Sequence, residues 1–272
     1  MVSAKRWANS NLTSEPARYW SDATASFLRA RRNALWRAYC DELHADLLRE
    51  WLYSTHVEHA LKTDLFDEAS GAGLVATLKE FADCVHGLDL SPEVIHNAQS
   101  SNITLRACNA DVRTMPYASQ SFDLIFSDST LDHFMHWHDL DVALYELYRL
   151  LKPGGKLVIT LDNLANPLIA LRQRLPFVWL HRLGIVPYYT GRTLTATGLH
   201  AYLTHLGFTV PCHKIIMHVP RIAAIAVCRL AGLARNQTVN DTFLKLFKQF
   251  DRGAKLPTAE WTGYFVAALA VK

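Results

Sequence analysis

The sequence predicts an α/β protein built on a doubly wound, mainly parallel sheet. Two observations carry this prediction. Between about residues 60 and 161, short apolar runs alternate with single amphipathic segments, which is the pattern of βαβ units. The chain has 272 residues, of which 50% are hydrophobic and 19% charged. It can therefore bury a large core, and its composition is not that of a disordered or low-complexity chain.

Five strands and three helices are predicted in this alternating region. The strands are ALKTDLFD (60–67), CVHGLDL (84–90), ITLRAC (103–108), SFDLIFS (121–127) and GKLVITL (155–161). The helices are GAGLVATLKEFAD (71–83), SPEVIHNAQS (91–100) and DLDVALYELYRLL (139–151). Ser91 is the predicted N-cap of the second helix, with Pro92 in its first turn. Two later strands are predicted, GFTVPCHKII (207–216) and WTGYFVAALAVK (261–272).

The remaining segments are predicted to be helical. Residues 1–58 form a helical N-terminal cap, because apolar residues recur at helical spacing through 16–52. Residues 59–272 form the main domain, with helical insertions at about 163–206 and 219–252. The first insertion is aromatic-rich and longer than a simple connection, so we expect it to have a functional role.

Charge and cysteine usage exclude several classes of protein. The net charge is only +3 and basic residues are dispersed, so no nucleic-acid surface is predicted. The five cysteines are scattered without a CxxC pair, which indicates neither a disulfide framework nor a zinc module. No apolar run is long enough to span a bilayer. We expect a cytoplasmic protein without stable membrane insertion; the oligomeric state is not predicted.

The turn after the first predicted strand is rich in glycine and acid. Gly71 and Gly73 allow a ligand to approach the backbone closely. Alone, this pattern also fits a dinucleotide site and a nicotinamide-dependent oxidoreductase. However, Asp67 and Glu68 stand where a pyrophosphate would meet like charge. A ligand with an ammonium and a sulfonium group would instead be attracted, and S-adenosylmethionine is such a ligand.

Further acidic residues follow the second and third strands. Asp89, followed by Leu90, ends the second strand, where it can accept hydrogen bonds from both ribose hydroxyls. Asp111 and Val112 follow the third strand, where a carboxylate can accept from the adenine amino group. The alternatives are that Asp89 caps the next helix and that Asp111 forms a turn. Acids at successive strand ends around two glycines favour a cofactor site.

With these motifs in order, residues from about 61 to 162 resemble the class I S-adenosylmethionine-dependent methyltransferases, especially their small-molecule group. The matching segments are DEASGAG, GLDLSPEVIHNA, ADVRTMPYASQSFDLIFS and YRLLKPGGKLVIT. The resemblance implies a Rossmann-like sheet of seven strands, mostly parallel, with the last strand antiparallel. It also implies in-line transfer of a methyl group to a small, partly hydrophobic molecule. Ser127, at the end of the fourth strand, completes the predicted cofactor site.

Two features depart from the family pattern. Ala69 stands where the family has its first glycine. Lys62, Thr63 and Asp64 occupy a central strand that should be nearly all apolar. Either Asp64 or Asp67 is therefore the acid that faces the methionine end. The same departures leave a second interpretation open, a cofactor binder that is non-catalytic or catalyses a non-methylating reaction.

The acceptor site is predicted from the segments after the fourth and fifth strands. Asp132 and His133 follow the fourth strand, and His133 is either the general base or a packing residue. No metal is predicted there, although His136 and His138 are close in sequence.

Four residues of the first insertion are candidates for binding the acceptor. Asn163 and Asn166 either bind it or turn the chain and cap the next helix. Tyr188 and Tyr189 either line its pocket or pack beneath a helical cap. The predicted partner is thus a small molecule held beside the cofactor.

Overall fold

The computed structural model describes residue 19 and residues 34–183, 186, 189–234 and 236–272. Within these residues, seven strands form one sheet. The strands are β1 (Val57–Lys62), β2 (Ala82–Asp89), β3 (Arg106–Asn109), β4 (Phe122–Asp128), β5 (Leu151–Asp162), β6 (Thr209–Ile216) and β7 (Phe265–Val271).

The strand order is β3-β2-β1-β4-β5-β7-β6. Strands β1 to β5 run parallel, and β7 lies antiparallel between β5 and β6. This is the predicted Rossmann-like sheet with its last strand antiparallel, so the predicted fold class is confirmed. Because β1 to β5 are parallel, their carboxyl ends share one edge, where ligands bind in open α/β sheets.

Helices surround the sheet and continue through the later part of the chain. They are α1 (Ala34–Trp51), α2 (Phe66–Ala69), α3 (Val75–Leu78), α4 (Pro92–Ser101), α5 (Trp137–Leu150), α6 (Pro167–Arg174), α7 (Phe177–Arg182), α8 (Ala196–His205), α9 (Arg221–Ala234), α10 (Gln237–Phe250) and α11 (Ala259–Thr262). Residues Leu131–His133 and Asp251–Lys255 form 3₁₀ turns. Within the described ranges, no helix has the length and apolar character needed to cross a membrane.

The two faces of the sheet are covered by different helices, because successive strand residues point to opposite faces. Ala60 of β1 packs in a cluster that includes residues of α1, α3 and α4. Its neighbour Leu61 packs in a second cluster with α5 and α8. A third cluster joins α1 to α9 and α10. Burial on both faces explains the apolar runs at residues 124–126 of β4 and 266–270 of β7.

The glycine-rich segment differs most from the sequence-based expectation. Strand β1 ends at Lys62 rather than at 67, and Phe66–Ala69 forms a short helix instead. The helix expected over 71–83 is confined to Val75–Leu78. The helix begins only after Gly73 because Gly71 and Gly73 have φ angles of +83° and +100°, which a right-handed helix excludes.

Other predicted elements are close to those observed. Helix α4 begins where expected, and Ser91 Oγ accepts a hydrogen bond from the N–H of Val94 at 3.4 Å. The Lys-Pro-Gly-Gly segment lies within β5 instead of preceding it. Helices α6 to α8 occupy the first predicted insertion, and α9 and α10 occupy the second. Most of the N-terminal cap, including 16–33 apart from Tyr19, lies outside the described residues.

Candidate cofactor and acceptor site

The carboxyl edge of the sheet is lined by acidic residues. Strands β2, β4 and β5 each end in an aspartate, and aspartates follow shortly after β1 and β3. In strand order from β1 to β5 these residues are Asp64, Asp89, Asp111, Asp128 and Asp162. Parallel strands therefore bring together acids that are far apart in sequence.

The charged end of β1 is explained by a buried ion-pair cluster. Lys62 Nζ lies 3.1 Å from Glu68 Oε2 and 3.5 Å from Asp64 Oδ1. It also donates a hydrogen bond of 2.8 Å to the carbonyl oxygen of Asp64. Burial alone would lower the pKa of Lys62, but the neighbouring carboxylates raise it above its ordinary value. Lys62 therefore stays charged in the centre of the sheet.

Glu68 supports the glycine loop from inside the protein. Its side chain is fully buried, and Oε1 accepts hydrogen bonds from the N–H groups of Leu74 at 2.9 Å and Val75 at 3.3 Å. A Cβ atom at Gly73 would lie 2.4 Å from Oε1, so only glycine fits beside this carboxylate. Burial raises the pKa of Glu68 to about 7, although Lys62 opposes the shift. The structure thus gives this predicted cofactor residue a role inside the fold.

Helix α1 reaches the same loop with three polar side chains. Arg37 forms an ion pair with Asp67, and the N–H of Gly73 donates a 3.0 Å hydrogen bond to Asp41. His44 Nε2 lies 3.3 Å from an oxygen of Asp128 at the end of β4. Sequence reasoning missed Asp41 and His44 as site residues. Their spacing from Arg37, four and seven residues along one helix face, was the available signal.

Asp89 lies at the carboxyl end of β2, as predicted, and is largely buried. Its Oδ1 accepts a 2.8 Å hydrogen bond from the N–H of Ser91, and its Oδ2 accepts one of 3.1 Å from the N–H of Leu65. A carboxylate has about four lone-pair sites, so each oxygen can accept a further bond. Burial raises the pKa of Asp89 to about 6. Leu90 beside it is half-buried.

Other predicted cofactor residues are held by neighbouring groups. Both oxygens of Asp111 accept hydrogen bonds from the guanidinium of Arg113. Val112 is buried in the core. Ser127 is also buried, and its hydroxyl accepts a 3.0 Å hydrogen bond from Thr63. Of these three predicted residues, only Asp111 has a partly exposed side chain.

The structure brings together Asp132 and His133, the predicted catalytic residues after β4, and Tyr189, a predicted substrate-binding residue. Asp132 is buried, and Oδ2 accepts a 3.0 Å hydrogen bond from the N–H of Asp162. Burial raises the pKa of Asp132 well above its ordinary value, and the charge of Asp162 adds to the shift. His133 Nδ1 lies 2.9 Å from the carbonyl oxygen of Tyr189. Since a carbonyl only accepts, Nδ1 carries the proton and Nε2 is the basic nitrogen of the neutral ring.

The surroundings of His133 favour its neutral form. Burial lowers the pKa of His133, and the hydrogen bond to Tyr189 only partly opposes that shift. Nε2 lies 4.0 Å from Asp132 Oδ1, which is beyond hydrogen-bond distance. The hydrogen bond from Nδ1 to Tyr189 helps to position the ring.

Asn163 and Asn166 join the end of β5 to the segment before β7. Asn163 Nδ2 donates to the carbonyl oxygens of Glu260 at 2.7 Å and Gly263 at 3.1 Å. Asn166 Nδ2 also donates to Gly263, at 3.2 Å, while its Oδ1 caps α6 by accepting from the N–H of Leu168 at 3.0 Å. These contacts are those expected of the turn-and-cap alternative, and acceptor binding by the two residues stays a prediction.

The first insertion contributes one residue that sequence reasoning missed. Arg172 of α6 forms an ion pair with Asp162 and donates a 3.0 Å hydrogen bond to the hydroxyl of Tyr264. The N–H of Tyr189 donates a 2.9 Å hydrogen bond to the hydroxyl of Tyr19. Tyr188 lies outside the described residues.

Comparison with known protein families finds a match within the sheet region. Residues 67–159 match the family described as "Methyltransferase domain". Over 111 residues the chain is 34% identical to malonyl-[acyl-carrier protein] O-methyltransferase of Enterobacter lignolyticus (strain SCF1), a match that covers 40% of this chain and 42% of that protein. The chain spans less than half the length of the first curated relatives that it matches.

Solved structures share the fold over most of the chain. The [4+2]-cyclase SpnF aligns with a TM-score of 0.53 and 17% identity, covering 84% of this chain and 79% of the cyclase. Phosphoethanolamine N-methyltransferase 2 of Haemonchus contortus, in complex with S-adenosyl-L-methionine, aligns with a TM-score of 0.53 and 20% identity, covering 84% and 51%. At these identities the likeness shows the fold alone.

The sheet order, the acidic edge and the glycine loop define a Rossmann-like methyltransferase fold. Residues 67–159 match the methyltransferase-domain family, and the chain is similar to class I S-adenosylmethionine-dependent methyltransferases. The predicted resemblance is thereby confirmed over residues 67–159, and a solved structure of the same fold is a complex with S-adenosyl-L-methionine. The individual site residues stay predictions.

Proposed function

We propose that the protein transfers a methyl group from S-adenosyl-L-methionine to a small, partly hydrophobic molecule. The observation that carries this proposal is a surplus of carboxylates over cations around the glycine loop. Two basic side chains, Arg37 and Lys62, are paired there with acids. The carboxylates in this region are Asp41, Asp64, Asp67, Glu68, Asp89 and Asp128.

The surplus of carboxylates makes the electrostatic environment of the loop unfavourable for further negative charge. Burial raises the pKa of both Asp41 and Asp64, and the charges of Asp67 and Asp128 raise it further. A bound cation would relieve this repulsion. The ammonium and sulfonium groups of S-adenosylmethionine supply such charge, so the residues present fit this cofactor.

Several residues are available to hold the cofactor. Asp89 retains acceptor capacity for the ribose hydroxyls, and we assign the adenine amino group to Asp111, which follows β3. A Cβ atom at Gly71 would meet nothing within 4 Å, which leaves room for close approach to the loop. Asp64 and Asp67 are the acids for the methionine end. When bound, the cofactor supplies a methyl group on a positively charged sulfur.

We assign proton transfer to His133. The Tyr189 carbonyl holds the proton on Nδ1, so Nε2 is the atom that accepts the acceptor's proton when that proton is retained at neutral pH. Asp132 is a positioning residue, because it accepts from the backbone of Asp162 and does not hydrogen-bond the His133 ring. The protein otherwise contributes alignment and water exclusion.

The first insertion supports a partly hydrophobic acceptor. Leu168, Leu171 and Trp179, on α6 and α7, have exposed side chains although they are large and apolar. Arg172 of α6 links this surface to the edge of the sheet through its ion pair with Asp162. An apolar surface beside a polar edge suits a molecule with one polar, methyl-accepting group.

The five cysteines are free thiols, which supports the proposed cytoplasmic location.

A second candidate function is a non-methylating reaction on the same fold. It is favoured by the glycine loop itself, because Asp41 and Glu68 already occupy the N–H groups of Gly73, Leu74 and Val75. The likeness to a cyclase supports it at the level of the fold.

Calorimetry and methyl transfer together separate these functions. S-adenosylmethionine, its demethylated product and NAD are titrated into the protein, and the labelled methyl donor is then incubated with pools of metabolites. Binding of the first two with labelled product supports the proposal. Binding with no labelled product in any pool supports the second candidate, and no binding contradicts both. Asp83→Ala, an exposed acid at the start of β2, is the control for Asp89→Ala.

A further inference from the structure

Three nitrogen- and sulfur-bearing side chains meet on one face of the sheet, away from its carboxyl edge. His59 of β1 is directly paired with Cys84 of β2. His86 is two residues further along β2, so all three side chains are on the same face. One potential ligand atom from each lies within 4.8 Å of the others. All three residues are half-buried.

The spacing of these atoms suits a tetrahedral metal ion. Cys84 Sγ lies 3.4 Å from His86 Nε2. Zinc bonds are about 2.3 Å long to sulfur and about 2.0–2.1 Å long to nitrogen. When the angle between the two bonds is tetrahedral, the sulfur and the nitrogen are therefore about 3.5 Å apart. The two atoms are therefore already at the separation that one shared ion requires.

The third member of the cluster, His59, has a ligand nitrogen and an outer partner. His59 Nδ1 is buried and has no hydrogen-bond partner within the described part of the chain. Its other nitrogen, Nε2, lies 3.5 Å from a carboxylate oxygen of Glu58. A metal-binding histidine commonly directs its second nitrogen to a carboxylate, which fixes the ring and raises its basicity. Nδ1 is thus the ligand atom that this arrangement leaves for a metal.

Neighbouring rings fix the orientation of His86. Its ring is edge-on to Phe122 at 5.2 Å, to Tyr117 at 5.7 Å and to His59 at 5.6 Å between centroids. Packing of the ring therefore sets the position of its nitrogens relative to His59 and Cys84.

We propose that His59, Cys84 and His86 bind one zinc ion, with water in the fourth position. Two imidazoles and one thiolate are a ligand set that zinc accepts readily. His59 and His86 each stand three residues before the carboxyl end of their strand, about 10 Å from the edge that holds the cofactor site. The ion links β1 to β2 and is not part of methyl transfer, so this site is independent of the proposed function.

Metal titration of untagged, chelator-treated protein tests the site. Zn²⁺ is titrated in competition with a chromogenic chelator, and Co²⁺ is titrated as a spectroscopic probe of the same ligands. We expect one ion per chain and the near-ultraviolet charge-transfer absorption of a thiolate–cobalt bond. Cys84→Ser should abolish that absorption, and His86→Gln should weaken zinc binding about 100-fold or more. Cys212→Ser and His213→Gln on β6 are the matched controls and should change neither.

A second measurement uses only the wild-type chain, in case the variants fail to fold. Zn²⁺ should protect Cys84, but not Cys212, from alkylation, as located by mass spectrometry. Protection and the cobalt absorption together support the site. Absence of binding, equal alkylation of the two cysteines, or an unchanged cobalt spectrum in folded Cys84→Ser overturns it.

Discussion

Lys62 Nζ lies 3.1 Å from Glu68 Oε2, and the side chains of the two residues are 1% and 0% exposed. The pair joins the end of β1 to the inside of the glycine loop. Charges removed from water are costly unless they are paired, so each residue depends on the other. The loop conformation therefore depends on a contact that β1 makes within the core.

Lys62→Met should lower the free energy of unfolding by about 3–5 kcal/mol, because it leaves Glu68 buried without its cation. The double variant Lys62→Met/Glu68→Gln should recover part of the loss, since the buried charge of Glu68 is removed together with that of Lys62. Denaturant unfolding of both variants and the wild type measures this. Equal stability of the single and double variants would show that the pair is not coupled.

Asp89→Ala should weaken S-adenosylmethionine binding by about 1.5–3 kcal/mol, because charge-assisted hydrogen bonds to the ribose are lost. Calorimetry gives the affinity, and Asp83→Ala should leave it unchanged. If Asp89→Ala binds as tightly as the wild type, Asp89 is not the ribose ligand. NAD should not bind either protein.

His133→Ala should lower the methyl-transfer rate by about 10²-fold or more while cofactor affinity stays nearly constant, because only a proton acceptor is removed. The neutral ring is the active form, so the rate should fall as pH drops through the pKa of His133, which burial lowers from the ordinary histidine value of about 6.5. His136→Ala, an exposed neighbour, is the control. Joint loss of stability and cofactor binding would identify His133 as a packing residue.

Asp89→Asn should alter how stability depends on pH in the cofactor-free protein. The pKa of Asp89 is raised from 3.8 to about 6, so its ionisation costs stability as pH rises through that window. The wild type should therefore lose about 2–3 kcal/mol relative to Asp89→Asn between about pH 3.5 and pH 7. Unfolding free energies of both proteins across this range measure the difference. A difference that is independent of pH would contradict the raised pKa.

Much of the fold could be predicted because its signals are local. Alternation of apolar runs with amphipathic segments predicted the strands, and Ser91 with Pro92 marked the start of α4. The acids at strand ends could also be predicted, because parallel strands end at a common edge. The boundaries around Gly71 and Gly73 could not, since Glu68 and Asp41 determine the loop through contacts made only after folding.

The sequence by itself determined the order of strands and helices and placed acidic residues at the strand ends that form one edge of the sheet. Both could be predicted because hydrophobic periodicity and strand termini are properties of residues that are neighbours in the chain. Only the tertiary structure decided which polar residues are neighbours across the fold. It paired Lys62 with Glu68, tied Asn163 and Asn166 to Gly263, and brought His59 to Cys84 and His86. The physical reason is that strand register and helix packing juxtapose side chains that are distant in the chain, and burial then requires each polar group to find a partner.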